Sequence, residues 1–318
     1  MTITVIGCGR WGSCIAWYLN KIGHDVTLYG KKDSESMKAL MLERKNEYIE
    51  LPESIKLSCD TECIKNAETI IISINSQGLR NLCGELLPLN LENKIFVLCM
   101  KGLEQNTCKR LSEIMDECMP DSCKTAVWLG PGHVEEFYNG IQNCMVIDSK
   151  SESVKKYLVD EFSGGIIRFY YGTDLIGNEI GAASKNVIGV AAGMLDGLGV
   201  SSLKGALMSR GSREIARLIE AAGGNELSAY GLCHLGDYQA TVFSPYSHNR
   251  KFGESYIKNE PFSKLAEGYY TVPALLSLAE KLDIELPICK AVYNVLYNKA
   301  NPKQELGSLF ERVQKKEF

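Results

Sequence analysis

The chain has 318 residues, which at a typical ~150 residues per domain predicts two domains with ample room for buried cores. Its 45% hydrophobic and 23% charged residues are those of an ordinary globular protein, which excludes a disordered, collagen-like or disulfide-stapled chain. The 35 basic and 39 acidic residues give a net charge of −4, so nucleic acid is not an expected partner.

The first half of the sequence alternates short apolar runs with longer amphipathic segments. Several of these runs are apolar throughout, as expected of parallel strands that are buried on both faces. The alternation predicts an open, doubly wound α/β sheet with helices on both sides. The predicted strands are residues 2–6, 25–29, 69–74, 94–99, 125–129, 144–147 and 166–170, and the helices between them include 14–21, 77–87, 109–118 and 154–162.

After residue 171 the strand patterns stop. A capping signal at Thr173-Asp174 opens a long helical pattern that continues to about Asp196. Further helical patterns cover residues 203–222, 225–230, 273–282 and 287–296. The sequence therefore predicts an α/β domain over residues 1–173 and an all-α domain over residues 174–318.

The sequence also carries signals about its cellular compartment. Its longest apolar stretches are far shorter than the ~20 residues of a membrane helix, so no membrane span is predicted. The first residues run directly into a strand, without the pattern of a signal peptide. Twelve scattered cysteines without a CxxC motif predict reduced thiols and a cytoplasmic protein.

A glycine-rich turn lies between the first predicted strand and the first predicted helix. Residues 7–12 read Gly-Cys-Gly-Arg-Trp-Gly, the G-x-G-x-x-G pattern of dinucleotide-binding turns. In that pattern Gly7 permits a tight turn, Gly9 lets the backbone approach a diphosphate, and Gly12 allows close helix–strand packing. The phosphates would lie at the helix N-terminus that starts at Arg10. The alternative is a glycine-rich turn of another α/β protein, and the strand–turn–helix context favours the dinucleotide.

The end of the second predicted strand bears on which nicotinamide cofactor is bound. An NAD-binding domain usually has a carboxylate at this place, whereas this chain has Gly30-Lys31-Lys32. A basic residue can accommodate the 2′-phosphate of NADPH, which favours NADPH slightly over NADH. The equal alternative is that both lysines are solvated surface charges.

Three further features follow predicted strands, at the edge where open α/β sheets bind ligands. They are Asn75-Ser76, Lys101-Gly102 and Gly130-Pro131-Gly132. Lys101 lies between apolar residues and a glycine, which suits a ligand for an anion. A solvated surface lysine is the equal alternative.

The long helix of the second domain contains a candidate acid–base residue. Spacings of three and four residues place Asn178, Gly181, Ala182 and Lys185 on one helix face, where the small residues leave room for a ligand. The apolar run after Lys185 contains no acidic residue, so the amine is predicted to be partly desolvated and suited to general acid–base catalysis. The alternative is a lysine whose stem packs while its head reaches water.

Polar and anion-binding residue types cluster at positions 236–241 and 247–253. This region is predicted to be loop-like, and it either binds a ligand or forms an ordinary surface loop. The four histidines show no metal-ligand spacing, so no metal is predicted.

Together, these motifs resemble the bacterial NAD(P)-dependent glycerol-3-phosphate dehydrogenases. The resemblance covers nearly the whole chain, and the ordered set of motifs is highly specific. Besides the glycine-rich turn, it rests on residues 101–104, Gly130-Pro131, residues 177–179, 185–188, 196–199 and 206–211, Gly236-Asp237, Ser247 with Asn249-Arg250, and Glu267-Gly268.

The resemblance implies a Rossmann-like N-terminal domain and the reversible, NADPH- or NADH-dependent reduction of dihydroxyacetone phosphate to sn-glycerol 3-phosphate. It also implies a homodimer and a small phosphorylated polyol or ketose as the binding partner. Lys185 would be the general acid/base, with Lys101 and Asp237 as further catalytic residues. With the residues above, the predicted substrate ligands are Lys101, Gly130, Gly132, Asn186, Thr241, Ser247, His248, Asn249 and Arg250. The predicted cofactor ligands are Gly7, Gly9, Arg10, Trp11, Gly12, Lys31, Lys32, Asn75, Lys101, Val134, Leu265 and Glu267.

Two departures from the family pattern lie beside the predicted substrate pocket. The family usually has Ser-Arg-Asn where this chain has Ser247-His248-Asn249, so an imidazole replaces a permanently charged fork. Gly132 and Glu135 stand where the family more often has a hydroxyl and a basic residue. These changes leave open the alternative of the same chemistry on another polyol or sugar phosphate. A separate alternative is an inactive dinucleotide-binding protein, and the joint presence of Lys101, Lys185 and Asp237 argues against it.

Overall fold

In this computed structural model, residues 1–313 are described and the chain divides into two compact units. The first unit comprises Met1–Lys101 and Lys109–Glu179, and the second comprises Gly102–Cys108 and the described residues from 180 onward. The division after residue 179 falls inside a long helix. The domain ranges 1–173 and 174–318 remain predictions from the sequence.

The first unit is an α/β layer structure. Its strands are β1 Thr2–Ile6, β2 Asp25–Tyr29, β3 Lys56–Ser58, β4 Thr69–Ile72, β5 Ile95–Leu98, β6 Lys124–Leu129, β7 Asn143–Ser149 and β8 Ile167–Tyr171. Its helices are α1 Arg10–Lys21, α2 Glu35–Glu43, α3 Glu62–Asn66, α4 Leu79–Leu86, α5 Leu111–Cys118, α6 Val134–Tyr138 and α7 Glu152–Phe162.

The eight strands form one sheet in the order β3-β2-β1-β4-β5-β6-β7-β8. Neighbouring strands are parallel except for the antiparallel pair β6–β7. The central strands are buried on both faces, which explains why most of their residues are apolar and why β5 is apolar throughout. The predicted doubly wound sheet is confirmed, and the carboxyl ends of β1, β4, β5 and β6 share the edge that carries the predicted ligand-binding turns.

The described part of the second unit is helical. The chain enters it through α8 Leu175–Gly197 and continues with α9 Lys204–Ala221, α10 His248–Lys258, α11 Glu267–Lys281, α12 Pro287–Tyr297 and α13 Pro302–Phe310. No strand lies between residues 180 and 313, which agrees with the predicted all-α domain. Among residues 1–313, no helix is both long enough and apolar enough to cross a membrane.

The prediction of a loop-like region at positions 236–253 is wrong. It contains a 3₁₀-helix at Leu235–Asp237, a π-helix at Gln239–Phe243 and the start of α10. Helix α10 begins because the Ser247 hydroxyl accepts a hydrogen bond from the backbone N–H of Arg250, at 3.3 Å. The first turn of α10 is polar, so apolar periodicity could not reveal it.

Helices α8 and α10 pack backbone against backbone. A methyl group on Gly193 would overlap the carbonyl oxygen of Arg250, and one on Gly253 would overlap that of Val190. A methyl group on Gly189 would lie 2.6 Å from the Thr241 side chain. The missing side chains therefore allow the segment 241–253 to lie directly on α8, close to Lys185.

Candidate functional site

The glycine-rich turn of the first unit has the shape that a dinucleotide diphosphate requires. Gly7 has a φ of +113°, and a methyl group on Gly12 would overlap the Gly7 carbonyl oxygen. In contrast, no atom lies within 4 Å of the place that a Cβ on Gly9 would occupy. Helix α1 begins at Arg10 without a side-chain cap, so its first N–H groups suit an anion. These features fit a dinucleotide.

The residues after Gly9 contact helix α6, the helix that follows β6. Arg10 Nη2 donates a hydrogen bond to Glu135 Oε2 at 2.5 Å, and the Trp11 ring packs on Phe137 with centroids 5.9 Å apart. Val134, the first residue of α6, is buried beside them. The structure thus brings the predicted cofactor residues 10, 11 and 134 into one region of the first unit.

The other predicted cofactor residues of this unit lie at the ends of β2 and β4. Lys31 Nζ is 2.6 Å from Glu85 Oε1, and this hydrogen bond raises the pKa of Lys31. Lys32 is exposed and lines a groove of about 1070 Å³ beside Met37 and Leu57. Asn75 accepts a hydrogen bond from the N–H of residue 77 and starts a short 3₁₀-helix. Of the two lysines after β2, Lys31 therefore has its charge balanced by Glu85.

Lys101 and Gly130 come together as predicted. Lys101 Nζ donates a hydrogen bond to the Gly130 carbonyl oxygen at 2.7 Å, because β5 and β6 are neighbours in the sheet. Gly132 has a φ of +146°, and a methyl group there would overlap the Phe137 ring. The family's hydroxyl residue would not fit at position 132 in this chain.

In the second unit, Lys185 lies between a carboxylate and a hydroxyl group. Its Nζ is 3.0 Å from Asp237 Oδ2 and donates a hydrogen bond to Thr241 Oγ1 at 2.8 Å. Lys185 is only 8% exposed and Asp237 1% exposed. An ammonium group held in this way is oriented to exchange a proton with a bound oxygen atom. The acidic partner is distant in sequence, so the apolar run after Lys185 could not indicate it.

The face of α8 before Lys185 is packed against protein. The prediction that small residues leave room for a ligand is wrong at Gly181, where the buried His234 fills the space. His234 Nδ1 donates to the Gly181 carbonyl oxygen at 2.8 Å, so its Nε2 accepts from the Tyr238 hydroxyl at 2.7 Å. The Asn178 side-chain amide donates a hydrogen bond to Asp148 Oδ2 at 2.8 Å. His234 and Tyr238 were not among the predicted site residues, although they lie four residues apart, on either side of Asp237, and this spacing is visible in the sequence.

The buried His234 predicts a specific loss of stability in mild acid. Burial lowers its pKa from 6.5 to about 4, so between these values the unfolded chain binds a proton that the folded chain does not. The contribution of His234 is complete above pH 6.5 and falls as the pH drops to about 4, by on the order of 3 kcal/mol. We expect urea unfolding of the His234→Gln variant to show a shallower fall in unfolding free energy over this range than the wild type. Parallel curves would contradict the assignment.

Asn249 holds together two segments of the second unit. Its side-chain amide donates to Asn186 Oδ1 at 3.0 Å and accepts from the Gly268 N–H at 2.9 Å. This contact brings predicted residues 186 and 249 beside Glu267, the first residue of α11. Leu265 precedes α11 and is 44% exposed.

The predicted substrate residues of α10 have different environments. Ser247 is buried at the helix start and His248 is half-buried in its first turn. The guanidinium of Arg250 is 2.9 Å from Asp196 and 2.8 Å from Glu254. The charge of Arg250 is therefore already balanced within the protein.

Comparison with known proteins adds direct evidence of kinship. Residues 2–155 match the family model described as the NAD-dependent glycerol-3-phosphate dehydrogenase N-terminus, and residues 174–307 match its C-terminal counterpart. The chain belongs to the NAD-dependent glycerol-3-phosphate dehydrogenase family. The family, fold class and NADH-or-NADPH cofactor predicted from the sequence are thereby confirmed.

Relatives in this dehydrogenase family match over the full chain. Glycerol-3-phosphate dehydrogenase [NAD(P)+] of Bacillus mycoides is 36% identical over 99% of this chain and 97% of its own. The Fusobacterium nucleatum protein of the same name is 34% identical over 99% and 98%. Among solved structures, glycerol-3-phosphate dehydrogenase from Coxiella burnetii superposes with a TM-score of 0.91, at 27% identity and 98% coverage of both chains.

Proposed function

We propose that the protein reversibly reduces dihydroxyacetone phosphate to sn-glycerol 3-phosphate, using NADH or NADPH. The observation that carries this proposal is the buried Lys185 amine, held by Asp237 and Thr241 in a chain whose glycine-rich turn fits a dinucleotide. When bound, the nicotinamide supplies the hydride of the reduction. The relatives' names and the resemblance of the whole motif set support this substrate.

Lys185 handles the proton in this proposal. In the reductive direction its Nζ donates a proton to the carbonyl oxygen that becomes the secondary hydroxyl, and in the reverse direction it accepts that proton. Asp237 fixes the ammonium group and balances its charge, and Thr241 accepts a second N–H. These two contacts leave the amine little freedom to rotate, so the proton is delivered in one direction.

The substrate phosphate is proposed to bind near the start of α10. The backbone N–H groups of its first turn, Ser247 and the imidazole of His248 supply donors there, and Asn249 is positioned beside them by Asn186. Arg250 is proposed to stabilise α10 through Asp196 rather than to supply the phosphate charge. Lys101, whose Nζ is oriented by the Gly130 carbonyl oxygen, is proposed as a further substrate ligand.

One observation supports a second candidate function with a different polyol or sugar phosphate. Position 132 lacks the family's hydroxyl, and Phe137 fills the place of its side chain. A substrate whose hydroxyl pattern does not require that contact would lose nothing at this position. The chemistry at Lys185 would be unchanged.

Initial rates test both candidates. We expect the purified protein to turn over dihydroxyacetone phosphate faster than four-, five- and six-carbon ketose phosphates. Rates with NADPH and NADH should be of the same order, because Glu85 balances the charge of Lys31. Faster turnover of a longer ketose phosphate would favour the second candidate. Dinucleotide binding without turnover of any of these substrates would indicate an inactive binding protein.

Location and assembly complete the proposal. None of the twelve cysteines, all of which lie in the part of the chain that the structure describes, forms a disulfide, and this supports a reducing, cytoplasmic location. A homodimer is proposed from the family resemblance.

A further inference from the structure

The ion pair between Arg10 and Glu135 places a carboxylate beside the turn that is proposed to bind the cofactor diphosphate. Arg10 is the first residue of α1, and Glu135 lies in the first turn of α6. Their side chains are only 22% and 28% exposed, and the two charged atoms are 2.5 Å apart. One arginine side chain therefore separates an acidic group from the N-terminus of α1.

Glu135 is a charged group in this place. Burial acts to raise its pKa, but hydrogen bonds from its own backbone N–H and from Arg10 outweigh burial, so its pKa is lowered. Glu135 contacts the side chain of the first residue of α1, and charges close to one another are only partly screened at physiological ionic strength, where the screening length is about 8 Å. Without its partner, Glu135 would repel a diphosphate at that N-terminus.

The guanidinium of Arg10 is directed toward other protein groups. Besides Glu135, it lies over the Tyr48 ring, 5.1 Å from the centroid. Because both contacts belong to the same unit as the glycine-rich turn, Arg10 is held in place before any dinucleotide binds. The uncapped N–H groups of α1 remain the donors suited to the phosphates.

We propose that Arg10 supports cofactor binding by neutralising Glu135, and does not itself bind the diphosphate. Arg10 is then a positioning residue, and the pair presents no net charge to the phosphates. The inference rests on the proposed dinucleotide site at residues 7–12. It differs from direct phosphate binding by Arg10 in one measurable respect, because a neutralising arginine matters only while Glu135 is charged.

A double-mutant cycle separates the two roles. The variants are Arg10→Met, which keeps much of the apolar stem over Tyr48, Glu135→Gln, and the combination of both. Dissociation constants for NADH and NADPH are measured by calorimetry at low and high salt, after thermal unfolding has verified that each variant is folded.

We expect Arg10→Met to raise the dissociation constant about tenfold at low salt and less at high salt. Glu135→Gln should lower the constant, because Arg10 then has an unbalanced positive charge. The double variant should return to within about threefold of the wild type. These salt effects and the rescue by Glu135→Gln would not follow from a merely structural role.

Two results would overturn the inference. If Arg10→Met lowers the affinity equally in the wild type and in Glu135→Gln, Arg10 binds the phosphates directly. If the dissociation constant of Arg10→Met is unchanged, the charge of Glu135 does not affect dinucleotide binding. Failure of the wild type to bind either dinucleotide would instead overturn the proposed cofactor site, and this inference with it.

Discussion

Replacing Lys185 with methionine is expected to lower kcat by about 10²–10⁴-fold, the usual contribution of a positioned general acid or base. The amine is held by Asp237 and Thr241, which lie in the same unit as Lys185. Steady-state rates with dihydroxyacetone phosphate give kcat, and fluorescence titration gives the dinucleotide affinity. Because the glycine-rich turn is unchanged, the affinity should stay within about twofold of the wild type.

Lys204 offers a matched control in the same unit. It is also buried and pairs with a carboxylate, Asp196, at 2.7 Å. The Lys204→Met variant should lose stability yet keep kcat within a few-fold, since Arg250 still balances Asp196. If removal of Lys185 unfolds the protein by leaving Asp237 unpaired, the double variant Lys185→Met/Asp237→Asn restores neutrality. If Lys185→Met or Lys185→Met/Asp237→Asn is folded and keeps a kcat within tenfold of the wild type, the role of Lys185 is refuted.

Alanine substitutions at Gly9 and Gly12 are expected to have opposite consequences for folding and binding. A methyl group on Gly12 would overlap the carbonyl oxygen of Gly7, so Gly12→Ala should lower the melting temperature markedly. A methyl group on Gly9 meets no protein atom within 4 Å, and its φ of −78° suits alanine. Gly9→Ala should therefore melt like the wild type and bind dinucleotide about 10- to 100-fold more weakly, because the methyl occupies space for the diphosphate.

Calorimetric melting and NADPH titration of the two variants provide the measurement. Each variant acts as the control for the other, since they introduce the same methyl group three residues apart. Wild-type affinity in Gly9→Ala would place the diphosphate elsewhere. An unchanged melting temperature in Gly12→Ala would mean that the turn relaxes around the added methyl.

Most strands of the first unit could be predicted because they are buried on both faces, and strands of this kind appear in the sequence as runs of consecutive apolar residues. Strand β3 was not predicted, because it has only three residues with a single apolar side chain and therefore shows no periodicity. Helix α10 was not predicted, because its first turn is polar and its start depends on one serine hydroxyl.

The candidate site was predictable where it depends on local motifs. Residues 7–12 carry their conformational requirement in the glycines themselves, and the contact of Lys101 with Gly130 follows from neighbouring strands. The contact between Lys185 and Asp237 joins residues distant in sequence, so only the resemblance gave Asp237 a role. The balanced charge of Arg250 depends on Asp196, 54 residues away in the sequence, so no local pattern could predict it.

The glycines of α8 have a consequence for changing what this protein acts on. Gly189 and Gly193 let the segment 241–253 pack directly on the main chain of α8, the helix that carries Lys185. A displacement of this segment would therefore also displace Lys185. Redesign of substrate preference should therefore vary exposed atoms of residues such as His248 and leave both glycines untouched. Enlarging either one would displace the reactive amine and the phosphate-side donors together, and would erase activity without altering selectivity.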